Sequence, residues 1–221
     1  MRVVITSATS HEWLVINEMM NPLYAGDSSR LQVSFHTSGV GILNTTFSLL
    51  SLIVEAQPEL IIQVGIAGSF DEKLVGKVVI VKEEFLGDLG VEEDGIFKDV
   101  FDMKLERPSK YPFVKKRLLN TWLEKFNLLK LAVVTGVTVN EVSTRPGRIT
   151  QLQKKYQADI ESMEGAALHY VGLQTNIPFI QIRAISNVVG ERDKSKWIID
   201  DALFELTNTT IKFLDRLYKL K

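Results

Sequence analysis

The sequence predicts an α/β fold in which helices cover both faces of a mostly parallel sheet. Short apolar or β-branched runs alternate with longer segments whose apolar residues recur at helical spacing. The run over residues 60–64 is apolar almost throughout, as expected for a strand buried on both faces. A length of 221 residues suits one hydrophobic core, so we expect a single domain over residues 1–221.

The first quarter of the chain predicts two strands and two helices. A β-branched run over residues 3–5 is expected to form a strand that ends in a polar loop. Residues 12–20 are expected to form a helix. A second strand is predicted over residues 31–37, and the apolar spacing over residues 42–56 predicts a helix that Pro58 ends.

The middle of the chain is less regular. The strand over residues 60–64 is expected to break at the glycine-containing residues 65–68, and another strand is predicted over residues 78–81. Residues 88–112 are charged and lack periodicity, which predicts a long loop. Residues 111–126 carry apolar and basic residues at helical spacing.

In the last part of the chain, predicted strands again alternate with predicted helices. Strands are predicted over residues 131–135 and 179–185, and helices over residues 148–156, 162–175 and 198–218. Because strands alternate with helices, ligands are expected at the strand ends, where the connecting loops gather.

Composition excludes several classes of function. There are 26 Lys and Arg residues against 27 Asp and Glu residues, which argues against a nucleic-acid groove or a polybasic membrane surface. The absence of cysteine excludes disulfides, thiolate nucleophiles and cysteine-bound metals. No apolar run approaches the roughly 20 residues of a membrane span, and the start lacks a signal-peptide core. We expect a cytoplasmic protein.

Common cofactor and metal motifs are incomplete. Residues 39–44 match part of a dinucleotide-binding glycine loop, but no acid that could hold a ribose follows the strand over residues 60–64. The three histidines, His11, His36 and His169, are not spaced for metal ligation. We therefore expect no cofactor and no metal.

Several polar residues in apolar surroundings form a candidate site. Glu164 precedes a small-residue helix whose close packing would carry it inward; alternatively it lies on a solvated face or caps the helix. Arg183 lies in an apolar strand and must be paired, with Glu164 or Glu12. Ser186 and Asn187 follow at the carboxyl end of that strand, where they form either a ligand site or a simple turn.

These residues belong to four short motifs that follow one another along the chain. The motifs are Gly39-Val40-Gly41, Gly65-Ile66-Ala67-Gly68, Ser162-Met163-Glu164-Gly165-Ala166 and Arg183-Ala184-Ile185-Ser186-Asn187. In this order, over nearly the whole chain, they resemble the nucleoside phosphorylase and nucleosidase superfamily. Within it, Asp88-Leu89-Gly90 and residues 186–193 with Trp197 resemble the futalosine hydrolases.

The resemblance implies a three-layer α/β/α sandwich with a central mixed, mostly parallel sheet. It also implies cleavage of the N-glycosidic bond of a purine nucleoside. Glu164 would hold the ribose hydroxyls, Met163 would pack on the sugar and Glu12 would activate the attacking water. Arg183 and Ser186 would support these residues from behind.

The resemblance places Asn187 where relatives that cleave adenine nucleosides usually carry Asp. A carboxyl group can protonate purine N7, whereas an amide can only donate a hydrogen bond to N7 or to an oxygen at C6. This difference favours a 6-oxopurine that leaves as hypoxanthine. The implied reaction is hydrolysis of futalosine to hypoxanthine and dehypoxanthine futalosine, in the futalosine route to menaquinone.

The resemblance also implies how the substrate pocket is lined. Val139 and Asn140 correspond to purine-facing positions, and Gly65 and Ile66 would line the pocket at the strand end. Where many superfamily phosphorylases hold phosphate with an Arg and a hydroxyl residue, this chain has Gln63 and Ile66. The loss of charge and hydroxyl favours water over phosphate as the attacking group.

Two alternative functions remain open on the sequence. One is a methylthioadenosine/adenosylhomocysteine nucleosidase, against which Asn187 argues. The other is a noncatalytic nucleoside-binding protein of the same fold. In each case the expected partner is a small-molecule nucleoside, and relatives are commonly dimers or larger, so we expect a homo-oligomer.

Overall fold

The structure is a computed structural model that describes residues 1–20 and 30–220. Its strands are β1 (Arg2–Ser7), β2 (Gln32–Thr37), β3 (Leu60–Ser69), β4 (Val78–Leu86), β5 (Gly90–Glu93), β6 (Ile96–Asp99), β7 (Leu118–Leu119), β8 (Ala132–Thr138), β9 (Ile160–Ser162) and β10 (Phe179–Val188). Its helices are α1 (His11–Met19), α2 (Gly41–Ala56), α3 (Leu123–Phe126), α4 (Pro146–Tyr156), α5 (Gly165–Thr175) and α6 (Ile199–Lys219).

The central sheet is mixed and mostly parallel. Strands β2, β1, β3 and β10 lie side by side and parallel. Strand β4 pairs antiparallel with β10 and parallel with β8, while β9 is parallel to β8 and antiparallel to β3. Strands β3, β10, β4, β8 and β9 therefore close into a ring, and β5 and β6 form a separate hairpin.

Helices cover the sheet on two faces and divide the hydrophobic core. Ile62 is buried in one cluster with Phe213 of α6 and Ile16 of α1. Its neighbour Ile61 is buried in another cluster with Leu168 of α5. Successive side chains of a strand point to opposite faces, so the two clusters lie on opposite sides of β3. The predicted three-layer α/β/α sandwich is confirmed.

Strand β3 is longer than the sequence predicts. A break was expected over residues 65–68, but the strand continues to Ser69. Gly65 pairs with Arg183 of β10, and Gly68 pairs with Asn187 on one side and Glu161 of β9 on the other. Pairing on both sides keeps these glycines extended and puts them in the middle of the sheet.

The segment over residues 88–112 contains regular structure that the sequence analysis did not predict. Strands β5 and β6 form a hairpin whose turn holds Asp94 and Gly95 at φ values of 50° and 74°. An Asp-Gly pair at positive φ is typical of a two-residue hairpin turn. The signal was therefore present in the sequence.

Helical spacing over residues 111–126 also proves misleading. Val114 pairs with Arg117 across a turn in which Lys115 and Lys116 have φ values of 51° and 71°. Strand β7 follows and pairs with β4, so only α3 is helical in this segment. The left-handed turn and the long-range pairing override the local spacing.

The remaining predicted helices and strands are present with shifted ends. The helix predicted from residue 162 begins at Gly165, because residues Ile160–Ser162 form β9. Within residues 1–20 and 30–220, no helix is long and apolar enough to cross a membrane.

Candidate active site

A cleft of about 300 Å³ opens where the ends of β1, β3, β9 and β10 meet. Among the residues that line it are six of those selected from the sequence: Glu12, Ile66, Met163, Glu164, Ser186 and Asn187. Gly65 and Arg183, which the sequence places beside or behind these residues, adjoin Glu12 and Glu164. The fold thus brings together motifs that are separated by up to 175 residues in the chain.

Glu164 lies at the bottom of the cleft, immediately before α5. It is 5% exposed, so the alternative of a solvated helix face is wrong. Its Oε1 accepts a hydrogen bond from the backbone N–H of Gly41 at 3.0 Å, at the N-terminus of α2. Burial raises the pKa of Glu164, and the nearby Arg183 guanidinium opposes that rise. The carboxylate is held in place with one oxygen, Oε2, turned toward Arg183.

Arg183 is almost fully buried behind Glu164. Its NH2 donates to Oε1 of Gln63 at 2.8 Å and lies 3.7 Å from Oε2 of Glu164. The ion pair predicted for Arg183 is therefore formed with Glu164. Gln63 stands where many superfamily phosphorylases have a phosphate-binding Arg. Here its side chain orients the guanidinium of Arg183.

Glu12 reaches the cleft from the first turn of α1. Its Oε1 accepts from the backbone N–H of Ile66 at 3.2 Å, and its Oε2 accepts from the backbone N–H of Thr9 at 3.1 Å. A Cβ at Gly65 would overlap NH1 of Arg183 and lie 2.9 Å from Oε1 of Glu12. Only glycine at this position lets the carboxylate and the guanidinium approach the same point of β3.

Asn187 lies at the end of β10, where the pairing with β3 shifts by one residue between Ile185 and Asn187. A bulge of this kind turns the following side chains into a new direction. The Ser186 hydroxyl donates to Oδ1 of Asn187 at 2.8 Å, and Nδ2 of Asn187 donates to the carbonyl of Val188 at 2.9 Å. One N–H of the amide remains for a ligand.

Trp197 and Arg192 form one wall of the cleft. The Trp197 indole N–H donates to the carbonyl of Glu191 at 3.0 Å, and the Arg192 guanidinium lies 5.6 Å from the indole ring centre. Among the described residues that line the cleft, Arg192 is the one Arg or Lys. Arg148 does not line the cleft; it donates to the carbonyl of Gly87 and lies over Phe97.

Val139 and Asn140 are not brought to this cleft. The Val139 side chain is buried in a hydrophobic cluster with Phe85 and Tyr156. The backbone N–H of Asn140 donates to Asp88, and its side chain lines a separate, mainly apolar cavity of about 460 Å³. In this structure the loop after β8 contributes Val142 to the cleft instead.

Glu161 is a cleft residue for which the sequence analysis assigned no role. It is 6% exposed and lies on β9, beside Ser162. Its Oε1 accepts from the backbone N–H of Ser143 at 3.0 Å. The available signal was an acid directly before the Ser162-Met163-Glu164 motif, three residues before Glu164.

No metal centre is found in the part of the chain that the structure describes, since no three His, Cys, Asp or Glu side chains there could share an ion. The cleft is lined by the carboxylates of Glu12, Glu161, Glu164 and Glu191 and by the amide of Asn187. This arrangement can position a water molecule and a polar heterocycle on either side of a sugar.

Comparisons with known proteins identify the family of the chain. A model of the Phosphorylase superfamily matches residues 7–219. Futalosine hydrolase of Thermus thermophilus is 29% identical over 180 residues, covering 80% of this chain and 79% of that protein. The 5'-methylthioadenosine/S-adenosylhomocysteine nucleosidase of Bacillus cereus strain B4264 is 30% identical over 190 residues, covering 81% and 79%.

Solved structures share the fold. Futalosine hydrolase of Helicobacter pylori strain 26695 superposes with a TM-score of 0.76 at 18% identity, covering 98% of this chain and 96% of that chain. A methylthioadenosine/adenosylhomocysteine nucleosidase of Colwellia psychrerythraea in complex with adenine superposes with a TM-score of 0.79 at 19% identity, with the same coverage.

Proposed function

Because the chain belongs to the phosphorylase superfamily, we propose that it hydrolyses the N-glycosidic bond of futalosine and releases hypoxanthine. The chain is an N-glycosyl hydrolase, as its futalosine hydrolase and nucleosidase relatives are. The substrate is the proposed part, since relatives of both specificities are about equally similar.

The orientation of Asn187 is the observation that carries the choice of substrate. The Val188 carbonyl accepts one N–H of Nδ2 and Ser186 donates to Oδ1, so the amide oxygen is engaged and the second N–H is left for a ligand. A donor at this point matches O6 or N7 of a 6-oxopurine. It does not supply the proton that departure of adenine draws from a carboxyl group. The observation therefore favours hypoxanthine as the leaving base.

The proposed mechanism stabilises charge at two places. As the bond between the ribose and the purine breaks, positive charge grows on the sugar and negative charge on the base. Glu164 and Met163 hold the sugar, and Asn187 stabilises the departing base by its hydrogen bond. Glu12 accepts a proton from the water that bonds to the anomeric carbon on the opposite face, while Arg183 fixes Glu164 from behind.

Water is favoured over phosphate by the charges around Gly65. Arg183, the cation nearest to this point, is already engaged by Gln63 and Glu164. Ile66 adds an apolar side chain to the cleft where a hydroxyl would help to hold phosphate. Arg30 donates to the carbonyl of Leu220 and does not line the cleft.

The aromatic carboxylate of futalosine requires a cation beyond the sugar. Arg192 meets this need, because it lines the cleft and lies over Trp197, a flat apolar surface for an aromatic ring. This wall favours futalosine over nucleosides without an acidic 5′ group. The proposed setting is the cytoplasm, in the futalosine route to menaquinone.

We also propose that the chain forms a homo-oligomer through α2. Leu43, Phe47 and Val54 of this helix are 82%, 73% and 78% exposed, which is unusual for large apolar side chains. A second copy of the chain would cover them. Light scattering should give at least twice the 24.9 kDa mass of the chain, and a monomer at micromolar concentration would contradict the proposal.

The function is tested by supplying futalosine, inosine and methylthioadenosine separately and identifying the released base by chromatography. We expect hypoxanthine from futalosine at the highest rate. Adenine released fastest from methylthioadenosine would instead assign the nucleosidase function of the Bacillus relatives. Binding of the nucleosides without release of any base would identify a noncatalytic protein.

A further inference from the structure

Three fully buried polar side chains, Glu84, Gln181 and His169, contact one another in the core. Nε2 of Gln181 donates to Oε1 of Glu84 at 3.0 Å, and the Gln181 side chain also contacts the ring of His169. In this orientation Oε1 of Gln181 and Nε2 of His169 have no hydrogen-bond partner among residues 1–20 and 30–220. Buried polar atoms without partners are costly, so the positions of the protons in this group decide its stability.

The partner of Nδ1 decides which nitrogen of His169 carries the proton. Nδ1 lies 2.8 Å from the carbonyl of Leu118, which can only accept, so Nδ1 is the protonated nitrogen. Burial lowers the pKa of His169 to about 4, so the ring is neutral near neutral pH and Nε2 is an acceptor. Nε2 therefore needs a donor, which the oxygen of Gln181 cannot be.

Reversing the Gln181 amide gives both atoms a partner. The oxygen and the nitrogen of an amide have nearly the same shape, so only the surrounding groups distinguish its two orientations. When its N–H donates to Nε2 of His169, the amide turns its oxygen toward Glu84. Glu84 can supply the donor that this oxygen needs only if it is a protonated carboxylic acid.

The surroundings of Glu84 favour the protonated form. A Cβ at Gly136 or at Gly165 would overlap its Oε1, so the backbone packs directly against the carboxyl group. Burial raises the pKa of Glu84 to about 7; Arg183 of β10 opposes this rise, and Glu164 at the start of α5 adds to it. An ionised Glu84 would be a second buried carboxylate beside Glu164.

The second oxygen of Glu84 extends the contacts into a chain of hydrogen bonds. Strand β8 faces this oxygen with a neutral group: Oε2 accepts from the Thr138 hydroxyl at 2.9 Å. The Thr138 oxygen in turn accepts from the backbone N–H of Ala166 at 2.8 Å. The chain thus runs from the first turn of α5 through β8, β4 and β10 to His169 and the Leu118 carbonyl. Each donor in it meets an acceptor when Glu84 holds a proton.

The charge on Glu84 also affects the ion pair in the cleft. Arg183 lies 3.7 Å from Glu164, and both residues act electrostatically on Glu84. We propose that Glu84 is a positioning residue that works as a neutral acid: its O–H is a donor of the buried chain, and its neutrality leaves the Arg183 charge to Glu164. An ionised Glu84 would attract the guanidinium and repel the Glu164 carboxylate. The link to Glu164 rests on the proposed function, in which this carboxylate holds the ribose.

The variant Glu84→Gln tests the role of the proton with little change in volume. Its amide can donate and accept at the same positions as the protonated acid, but it cannot ionise. The matched control is Glu83→Gln on the same strand, whose carboxylate is bound instead by Arg117 and the Thr135 hydroxyl. Thermal unfolding checks that both variants are folded.

Two spectroscopic measurements report the protons directly. In nitrogen NMR spectra at pH 6, we expect the ring of His169 in the wild type to carry a proton on Nδ1 alone. In infrared spectra at the same pH, we expect the carbonyl absorption of a protonated carboxylic acid, which decreases in Glu84→Gln and not in Glu83→Gln. Neither measurement needs a substrate.

Kinetics with futalosine test the link to Glu164. Between pH 6 and pH 9, kcat/KM of the wild type and of Glu83→Gln should fall about tenfold relative to that of Glu84→Gln, since a pKa shift of one unit changes the ionisation of a carboxyl group by that factor. A purely structural role of Glu84 would change kcat/KM by the same factor at each pH.

An ionised Glu84 beside a doubly protonated His169 at pH 6 would overturn the neutral chain. The same pH profile in the wild type and in a folded Glu84→Gln variant would overturn the positioning of Glu164. Faster release of adenine from methylthioadenosine than of hypoxanthine from futalosine would contradict the proposed function alone, because the spectra, and the pH profile measured with methylthioadenosine, would still test Glu84.

Discussion

The Ser186 hydroxyl donates to Oδ1 of Asn187 at 2.8 Å, and the Val188 carbonyl, which can only accept, takes a hydrogen bond from Nδ2 at 2.9 Å and so fixes the orientation of the amide. An amide is otherwise nearly symmetric in shape, so only its partners distinguish the donor end from the acceptor end. Ser186 has a single hydroxyl proton, and its shorter contact is the one to Asn187. The chemistry at the base therefore depends on two adjacent residues of β10.

Replacing Glu12 by Gln should separate catalysis from binding. The amide keeps the size of the side chain but cannot take a proton from water, so turnover should fall roughly 100-fold or more. Affinity for hypoxanthine should change little. Steady-state rates and calorimetry measure the two effects, and Glu18→Gln, on the exposed side of the same helix, is the control. Turnover close to that of the wild type would remove Glu12 from the mechanism.

Replacing Gly65 by Ala should damage both stability and activity. The added Cβ overlaps the buried Arg183 guanidinium and crowds Glu12. Because Gln63 and Glu164 hold Arg183, relief requires breaking one of these contacts. We expect a loss of about 1–3 kcal/mol in unfolding free energy, and turnover should fall more steeply than that loss alone would cause.

The control for this substitution is Gly147→Ala in α4. A Cβ at Gly147 meets nothing within 4 Å in the described part of the chain. Alanine stabilises a helix by up to about 1 kcal/mol relative to glycine, so this variant should be neutral or slightly more stable. Urea unfolding measures the unfolding free energy of Gly65→Ala and Gly147→Ala. If Gly65→Ala and Gly147→Ala were equally stable and active, the close approach of Arg183 and Glu12 to Gly65 would have no effect on stability or activity.

Replacing Glu84 by Gln should change the pH dependence of stability. Glu84 is fully buried between Gln181 and Thr138, and burial raises its pKa from 4.5 to about 7. Between these pH values the native state holds a proton that the unfolded state has lost. The unfolding free energy of the wild type should therefore fall as pH rises from 5 to 7, by up to about 1.4 kcal/mol per pH unit from this group.

The difference between wild type and Glu84→Gln isolates this contribution, because other titrating groups cancel. His169, whose pKa burial lowers to about 4, contributes in the opposite sense to both proteins. Chemical unfolding at pH 5, 6, 7 and 8 should show the wild type losing stability relative to the variant. Parallel curves would show that Glu84 does not titrate in this range.

Elements with strong local signals could be predicted from the sequence. The helix over residues 42–56 appears as α2 with one added residue, because apolar spacing and Pro58 are both local. The extension of β3 could not be predicted, since Gly65 and Gly68 are extended through pairing with Arg183 and Asn187, far away in the chain. Local propensity is weak where long-range pairing decides.

The candidate site also contains residues whose contacts could be predicted from the sequence and residues whose positions could not. A buried charge needs a partner, so Arg183 could be predicted to pair with Glu164 or Glu12, and the structure pairs it with Glu164. Val139 and Asn140 lie outside the cleft, because packing against Phe85 and a contact with Asp88 determine where the loop after β8 runs. The position of Glu161 depends on the register of β9, which a three-residue strand does not reveal in advance.

The central claim, that the Asn187 amide selects a 6-oxopurine, is tested most directly with two substrates that differ at one position. The measurement is kcat/KM for futalosine and for its 6-amino analogue, with the wild type and Asn187→Asp. We predict that the wild type prefers futalosine by about 100-fold or more, and that Asn187→Asp lowers this ratio at least tenfold. The same ratio in both proteins would contradict the account.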